Sequence, residues 1–456
     1  MITNLKALAK TPLREKALRI VNAGYEGIEI ERVVKNRVQL KGAALSIVFF
    51  ESGKKKVIKT DISKFKKVML VGFGKGSALT CISIAKILGT YLTQGIALDT
   101  QKPKLKIENL KLEILTGTHP LPSEKNVKAT HKILDLVKHL GKNDLLIVVT
   151  CGGGSALATA TYEELKDSSR ATKELSRAGA DIVELNTVRK HLSVFKGGGL
   201  ARFAYPAKVL SLIVSDVLGN DLSMVASGPL VLDRTTKKDA EQIIKKYLRG
   251  SASRSALIRV LMETPKEKAF FKNIIHILFV KNEDAVRAMQ SEARKFGFRV
   301  SVASLALRGE AKNILVAVLR KLKKGEAIIA GGESTVTLRN KKSKIKNKKS
   351  GKGGRNMEAV LGAVAQIPNP KSQAPNDIVV VSFASDGRDN TEAAGAIGDF
   401  LTLEKAKKLK LDPKAFLSVH NTFHFFKQTK DLIYAEKNNF NVSDLMVILK
   451  SDTNYK

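Results

Sequence analysis

The sequence predicts an α/β protein with mainly parallel sheets. Short apolar runs alternate with amphipathic stretches along most of the chain. Most of these runs are followed by Gly, Ser, Asp or Asn and then by apolar residues at helical spacing, an order typical of strand–turn–helix units. With 456 residues, of which 43% are apolar and 27% charged, the chain has room for two or three domains with sizeable cores.

The predicted elements follow this alternation in chain order. Residues 1–45 carry a helical pattern, and strands are then predicted at residues 68–71, 95–98, 145–150, 209–214, 277–280, 299–303, 327–330 and 378–382. Residues 235–270 are polar and helical without a strand, which indicates a domain boundary in this region. The Lys-rich run 340–354 predicts an exposed hairpin or loop.

Charge and composition narrow the classes of partner. The chain has 79 Lys and Arg against 43 Asp and Glu, a formal charge of +36 that attracts polyanions. The lysines are spread along the chain, however, and aromatic residues make up only 5%, whereas readers of nucleic acid use Arg forks or interleaved aromatic rings. We therefore expect no dedicated nucleic-acid partner. The strand-sized apolar runs and two cysteines predict a cytoplasmic protein without a membrane span.

The strand at 68–71 runs into the turn GFGKGS, where glycines allow the backbone to turn tightly before a helix. Lys75 lies inside this turn beside Gly74 and offers a point charge to a phosphate. The turn is not a P-loop, because the G-x-x-x-x-G-K-[ST] spacing is absent. Two alternatives stay open: a tight turn with an exposed lysine, or a dinucleotide site in which Asp99, after the next strand, binds a ribose.

A second turn, CGGGSALAT, follows the strand at 145–150. Its glycines Gly152, Gly153 and Gly154 can form a backbone nest for a phosphate or carboxylate, and Ser155 can cap the next helix. We do not expect Ser155 to be a nucleophile, because the Gly-x-Ser-x-Gly pattern and an evident His–Asp pair are both absent.

The densest group of polar side chains lies in LNTVRKHLSVFKGGGLA. Asn186 and Arg189 lie on adjacent rows of a predicted helix there, and Lys196 follows them. Asp216 comes directly after the next strand, where a metal ligand or a general base would stand. A role for Asp216 as a helix or turn cap is the alternative.

The C-terminal half repeats this pattern. Glu333 follows a diglycine, and Arg355 and Asn356 begin a helix after GKGG, where an Arg suits bidentate binding of a phosphate or carboxylate. Asp386 and Asp389 follow a buried strand, and an Ala-rich helix is predicted after them.

Taken together, these motifs resemble glycerate kinases of the MOFRL type. The resemblance runs in order from about residue 12 to 450 and includes GFGKGS, GTHPLPSEKNVKAT, CGGGSALAT, LNTVRKHLS, SDVLGNDLSMVASGP, GGESTVTL, GKGGRN and SDGRDNTEAAGA. It implies a Rossmann-like domain over residues 1–245, a connecting βα segment over 246–325 and a C-terminal α/β MOFRL domain over 326–456, with the active site in the cleft between domains. The implied reaction is ATP-dependent phosphorylation of D-glycerate, generally at the 2-hydroxyl.

The resemblance also implies roles for the residues named above. Lys75 and Arg355 would be the principal catalytic cations, and Asp216 and Asp386 would hold Mg²⁺ or orient the attacking hydroxyl. The substrate and ATP would be bound by Gly74, Gly152, Gly153, Gly154, Ser155, Asn186, Arg189, Lys196, Glu333 and Asn356. His119 is either a substrate contact or a structural residue.

One loop departs from the family pattern. Where relatives have GPTGTNV, this chain has EKNNFNV at residues 436–442, so we expect altered binding of the acceptor and largely retained binding of ATP. Two other functions stay open: a hydroxypyruvate reductase-type oxidoreductase, and a catalytically decayed binding protein. The sequence also leaves the oligomeric state open, with a homodimer as one option.

Overall fold

The computed structural model describes residues 1–51, 53–105, 109–217, 219–338, 351–367, 377–438 and 440–452. The chain forms two compact units. We call Ile30–Val280 the central unit, and Met1–Glu29 together with Lys281–Lys456 the terminal unit. This division differs from the expected boundaries at 245 and 325, because the first 29 residues group with the C-terminal part of the chain.

The elements of the described residues are as follows. The strands are β1 (Val38–Lys41), β2 (Ala44–Glu51), β3 (Lys54–Asp61), β4 (Lys67–Phe73), β5 (Gln94–Asp99), β6 (Leu112–Thr116), β7 (Asp144–Cys151), β8 (Lys208–Val214), β9 (Ile274–Val280), β10 (Arg299–Leu307), β11 (Glu326–Gly332), β12 (Ile378–Ala384), β13 (Gly395–Asp399), β14 (Leu432–Ile433) and β15 (Asp444–Lys450). The helices are α1 (Leu5–Leu8), α2 (Pro12–Gly27), α3 (Ile30–Arg37), α4 (Ser77–Leu88), α5 (Glu124–Val137), α6 (Gly154–Leu157), α7 (Tyr162–Arg177), α8 (Ile182–His191), α9 (Gly199–Ala204), α10 (Lys237–Tyr247), α11 (Ser253–Val260), α12 (Asn282–Lys295), α13 (Ala311–Leu319), α14 (Arg355–Val364), α15 (Phe400–Lys408), α16 (Pro413–Ser418) and α17 (Thr422–Thr429).

The central unit is built on a parallel sheet in the order β6-β5-β4-β7-β8-β9. This is the strand order of a Rossmann fold, in which the chain reverses direction across the sheet between the first and fourth strands. Here that switch point lies between β4 and β7. The mainly parallel sheet that the sequence predicts is confirmed, and its ligands are expected beyond the carboxyl ends of β4 and β7.

The central unit also carries a three-stranded antiparallel sheet, β1-β2-β3. The helical prediction for residues 1–45 is therefore wrong from Val38 onward. Buried residues alternate with more exposed ones at the start of β2, with Leu45 and Ile47 buried. That period of two is the pattern of a strand with one covered face.

The terminal unit contains a mixed sheet in the order β10-β11-β15-β12-β13-β14. Among the described residues of this sheet, only the β10–β11 pair is parallel, because β15 lies antiparallel between β11 and β12. The Ala-rich helix expected after Asp389 is in fact strand β13. A Cβ at Gly395 would lie 2.0 Å from the Ser382 carbonyl oxygen, so the small residues of β13 serve close packing and not helix formation.

Each of the eight predicted strands lies within an observed strand. A hairpin or loop was expected at residues 340–354, of which residues 340–350 lie outside the described part of the chain.

Helix α2 is fixed within the terminal unit by Arg14, whose buried guanidinium pairs with Asp399 at 2.6 Å and with Asp431 at 2.8 Å. Among the described residues, no helix is both long enough and apolar enough to cross a membrane.

Candidate active site

Two glycine turns meet at the switch point of the parallel sheet. Gly74 follows β4 with φ of 110°, and a Cβ there would lie 2.3 Å from the Cys151 carbonyl oxygen at the end of β7. Only glycine fits this close approach. The Lys75 N–H donates to the Gly152 carbonyl oxygen at 2.9 Å. The two turns are thus joined through their backbones, which places Lys75 beside the triglycine turn.

Lys75 lies next to His119 and Gly153. A Cβ built at Gly153 would lie 3.3 Å from Lys75 Cγ and 3.1 Å from the His119 ring. Burial, and then the charge of Lys75, lowers the pKa of His119 to about 4, so the imidazole is neutral at pH 7. In the part of the chain that the structure describes, Lys75 forms no ion pair. Its charge is therefore available to a ligand.

A pocket of about 260 Å³ borders this group. Its polar lining includes His119, Ser155, Ser168, Ser169, Thr172 and Arg189. Arg189 Nε donates to Thr172 Oγ1 at 3.1 Å. Burial alone lowers the pKa of Arg189, since no carboxylate of the described residues pairs with its guanidinium. The structure therefore brings Ser155 and Arg189 together in the lining of one pocket, and their role in binding stays a prediction.

A chain of hydrogen bonds supports Ser155. Its Oγ lies 2.8 Å from Ser227 Oγ, which donates to Asn186 Oδ1 at 2.8 Å. Ser227 and the preceding Ala226 both have left-handed backbone, with φ of 61° and 49°, a conformation that is costly for non-glycine residues. Asn186 thus positions Ser155 through Ser227. Sequence reasoning missed Ser227, although it lies in the quoted motif ASGP.

Lys196 has a different environment from the one expected. Its side chain is only 1% exposed, and its Nζ pairs with the equally buried Glu164 and donates to the Ala158 carbonyl oxygen at 3.0 Å. Glu164 in turn accepts the Ala160 N–H at 2.8 Å. Lys196 therefore holds the segment that follows α6 and does not present its charge to a ligand in this structure. The sequence offered no signal for the Glu164 partner, which lies 32 positions away.

Asp216 lies at the carboxyl end of β8, against the second glycine turn. A Cβ at Gly152 would lie 2.0 Å from Asp216 Oδ2, so the carboxylate occupies the space that a side chain at Gly152 would fill. The half-buried Asp216 is thus next to the triglycine turn, and its role as a metal ligand or general base stays a prediction.

Arg355, at the start of α14 in the terminal unit, is paired with two carboxylates. Its Nε lies 2.5 Å from Asp444 Oδ2, and its Nη1 pairs with the exposed Glu333. Burial would lower the pKa of Arg355, but Asp444 and Glu333 outweigh it and raise the pKa. For Asp444, burial raises the pKa to about 7 against the opposing effect of Arg355. Arg355 is therefore paired with carboxylates in this structure, and Asp444 was missed because its strand was not predicted.

Asp389 caps the start of α14. Its carboxylate accepts the Asn356 N–H at 3.2 Å and the Met357 N–H at 2.9 Å, and burial raises its pKa to about 6. Asn356 Nδ2 also donates to Asp444 Oδ1 at 2.9 Å. Asn356 therefore links the two buried carboxylates, and its side chain has a structural function in addition to any contact with a ligand.

Asp386 adjoins the altered loop. Its Oδ1 accepts the Arg388 N–H at 3.0 Å, and its carbonyl oxygen accepts the Asn438 N–H at 3.1 Å. In the same loop Glu436 pairs with the N-terminal ammonium of Met1 at 3.2 Å, and Phe440 is buried. The described residues contain no group of three or more His, Cys, Asp or Glu that could hold a metal ion.

Comparison with known proteins assigns the chain to a family. Residues 16–262 match the model of a domain of unknown function, DUF4147, and residues 326–444 match that of the MOFRL family. The D-glycerate 2-kinase of Thermotoga maritima is 32% identical over 395 residues, which is 84% of this chain and 90% of that protein. The chain belongs to the MOFRL glycerate kinase family. A putative hydroxypyruvate reductase of Agrobacterium vitis is 34% identical over 84% of this chain and 87% of its own length.

A solved structure of a glycerate kinase has the same fold. The crystal structure of glycerate kinase from Thermotoga maritima superposes with a TM-score of 0.80 at 29% identity, covering 96% of this chain and 99% of that chain. The family that the motifs predicted is therefore confirmed, and the resemblance extends over nearly the full length of the chain.

Proposed function

We propose that this protein is a cytoplasmic kinase that transfers the terminal phosphoryl group of ATP to D-glycerate, at the 2-hydroxyl. The observation that carries the proposal is Lys75, which has no acidic partner among the described residues and lies at the switch point of the parallel sheet, beside a small pocket with both polar and apolar lining. Relatives named D-glycerate 2-kinase support the same reaction. Its product would be 2-phosphoglycerate.

Phosphoryl transfer needs positioning and neutralisation of charge more than covalent chemistry. Lys75 supplies a cation that no acid of the described residues neutralises. Gly74 and the glycines Gly152, Gly153 and Gly154 let oxygen atoms approach the backbone closely. Ser155 adds a hydroxyl that Asn186 holds in place through Ser227.

Asp216 and Asp386 are proposed to bind Mg²⁺, which would neutralise charge on the phosphates of ATP. Magnesium in nucleotide sites needs only one or two carboxylates, since phosphate oxygens and water complete its shell. Asp216 offers such an oxygen donor beside the triglycine turn. Its carboxylate is also suited to orient the acceptor hydroxyl or to take its proton, so Asp216 is proposed as a catalytic residue.

Arg355 is proposed as a second catalytic cation, with Glu333 and Asn356 as ligand-binding neighbours. Buried Asp444 fixes the guanidinium in place, whereas Glu333 is exposed. A phosphate could replace the exposed Glu333 as partner while Asp444 keeps the orientation of Arg355. This arrangement would preorganise the cation for a charged ligand.

A reductase activity is less well supported. The name of the Agrobacterium vitis relative suggests it, and it would require a carboxylate free to bind a ribose. Asp99, the candidate, is 1% exposed, and its carboxylate accepts the Ala78 N–H at 3.1 Å and the Thr100 N–H at 2.6 Å. Asp99 therefore fixes the start of α4.

The proposal is tested with purified protein, Mg-ATP and D-glycerate, with the products resolved by ³¹P NMR. We expect ADP and 2-phosphoglycerate in equal amounts. Parallel reactions contain hydroxypyruvate with NADH or NADPH. Oxidation of the reduced cofactor without ATP turnover would reject the kinase in favour of the reductase, and 3-phosphoglycerate would reject the assignment of the 2-hydroxyl.

A further inference from the structure

The pocket beside Lys75 is lined by the guanidinium of Arg189, which has no acidic partner among the described residues. Arg189 is half-buried, and only its Nε has a hydrogen-bond partner among the described residues, Thr172 Oγ1 at 3.1 Å. Its Nη groups could therefore donate to a ligand. Keeping a cation partly out of water without an acidic partner is unfavourable, so this arrangement is best explained by an anion that arrives with the substrate.

The charge of the pocket points to a monoanion. Arg189 is the one fully charged side chain among the described residues that line it, because the pKa of His119 is lowered to about 4 by burial and by Lys75. The remaining polar lining consists of neutral hydroxyl groups and backbone. A ligand with a single negative charge and several hydroxyls would complement this lining.

The size of the pocket favours the acceptor over the nucleotide. Its volume of about 260 Å³ corresponds to about eight or nine water-sized groups at about 30 Å³ each. Glycerate, with about seven non-hydrogen atoms, would fit this volume entirely, whereas ATP, with about thirty, would place only part of the molecule there.

We propose that Arg189 binds the carboxylate of the acceptor and thereby selects a small 2-hydroxy carboxylate over uncharged polyols. The proposal rests on the glycerate kinase function proposed above. A planar guanidinium matches a carboxylate through two parallel hydrogen bonds. The same pocket is lined by His119 and Gly153, which adjoin Lys75. A carboxylate at Arg189 would therefore keep the hydroxyls of the acceptor in a pocket that borders the cation proposed to stabilise the transferring phosphoryl group.

The test compares glycerate with its uncharged amide, glyceramide, as acceptors for wild type and Arg189→Gln. We expect kcat/KM for glycerate to fall about 10²–10³-fold, since a partly buried charge pair is lost. The value for glyceramide and the KM for ATP should change little. The preference for glycerate over glyceramide would therefore collapse, which a merely structural defect would not produce. Arg177→Gln, a change at an exposed arginine of α7, is the matched control and should behave as wild type.

Two outcomes would overturn the proposal. One is an unchanged preference for glycerate in Arg189→Gln, shown to be folded by circular dichroism. The other is a raised KM for ATP with glycerate unaffected, which would make Arg189 a nucleotide phosphate contact. If Arg189→Gln does not fold, Arg189→Lys, which keeps the charge but loses the planar fork, is measured in the same way and should show a partial loss of preference.

A failure of the kinase proposal would be recognised separately. If the wild type does not phosphorylate glycerate, calorimetric titration with sodium glycerate still decides the role of Arg189. Binding that is lost in Arg189→Gln but kept in Arg177→Gln would support the carboxylate subsite. Equal binding by all three proteins, or no binding by the wild type, would reject it.

Discussion

Replacing Lys196 by methionine tests whether this lysine holds the structure or contacts a ligand. Methionine keeps the length and much of the apolar volume of the side chain but removes its charge. In the folded protein the substitution would leave Glu164 buried without its cation and the Ala158 carbonyl without the Nζ donor. We therefore expect a loss of stability and not a specific loss of affinity.

The expected loss follows from the burial of the pair. Both side chains are 1% exposed, and removal of one partner from a buried ion pair costs about 3–5 kcal/mol, because an uncompensated charge remains. The double variant Glu164→Gln/Lys196→Met removes both charges but keeps an acceptor for the Ala160 N–H. We expect it to regain part of that loss, to within about 1–2 kcal/mol of wild type.

The assay is urea denaturation followed by circular dichroism, together with the KM for glycerate and for ATP under native conditions. Lys138→Met is the control, because Lys138 forms an exposed pair with Asp135 and should leave the unfolding midpoint unchanged. A Lys196→Met protein with the wild-type midpoint and a KM raised about tenfold or more would refute the structural role. Lys196 would then be a ligand contact, as the sequence motif suggests.

Three further predictions concern the proposed active site and its neighbours. Lys75→Ala should lower kcat about 10²–10⁴-fold, because it removes a cation that stabilises the transition state. The control Lys86→Ala, on the exposed side of α4, should keep the wild-type kcat. A folded Lys75→Ala protein with near wild-type kcat would reject Lys75 as a catalytic residue. Burial raises the pKa of Asp444 in the folded protein from 3.8 to about 7. Between these two pH values the folded state binds more protons than the unfolded state, so the free energy of unfolding should fall as pH rises through 7. The urea midpoint, measured from pH 5 to 8, should depend less on pH in Asp444→Asn than in wild type, and identical profiles would contradict the raised pKa. Replacing residues 436–440 by Gly-Pro-Thr-Gly-Thr should lower the KM for glycerate and leave the KM for ATP unchanged. The variant should also be less stable to heat, because buried Phe440 is lost. An unchanged KM for glycerate in the folded variant would show that the loop does not affect binding of the acceptor.

The sequence alone located five of the six strands of the parallel sheet and the glycine turns that follow β4 and β7, but it did not predict β6. An apolar run such as that of β7 indicates a strand that is buried on both faces of the sheet. The three consecutive glycines after it indicate that another group approaches the backbone closely. Both features depend on residues adjacent in the chain, so local pattern was enough to place Lys75, Gly153 and Ser155 beyond strand ends. The motif order also identified the family, which the matches over most of the chain confirm.

The sequence pattern predicted the wrong element where small residues allow neighbouring elements to pack closely. The segment Gly395–Asp399 has no signal that distinguishes it from an Ala-rich helix, yet it pairs with β12 as a strand. A Cβ at Gly398 would lie 2.3 Å from Val364, so this glycine allows α14 to approach the sheet. That requirement comes from an element more than thirty positions earlier and leaves no periodic trace.

Only the tertiary structure decided which of the expected cations are paired. Lys75, Lys196 and Arg355 look alike in the sequence, as basic residues near glycines. In the folded protein Lys196 pairs with Glu164, and Arg355 pairs with Asp444. No carboxylate of the described residues pairs with Lys75. The reason is physical: the free energy of a charge depends on its burial and on carboxylates within a few ångströms, and these partners come from distant parts of the chain.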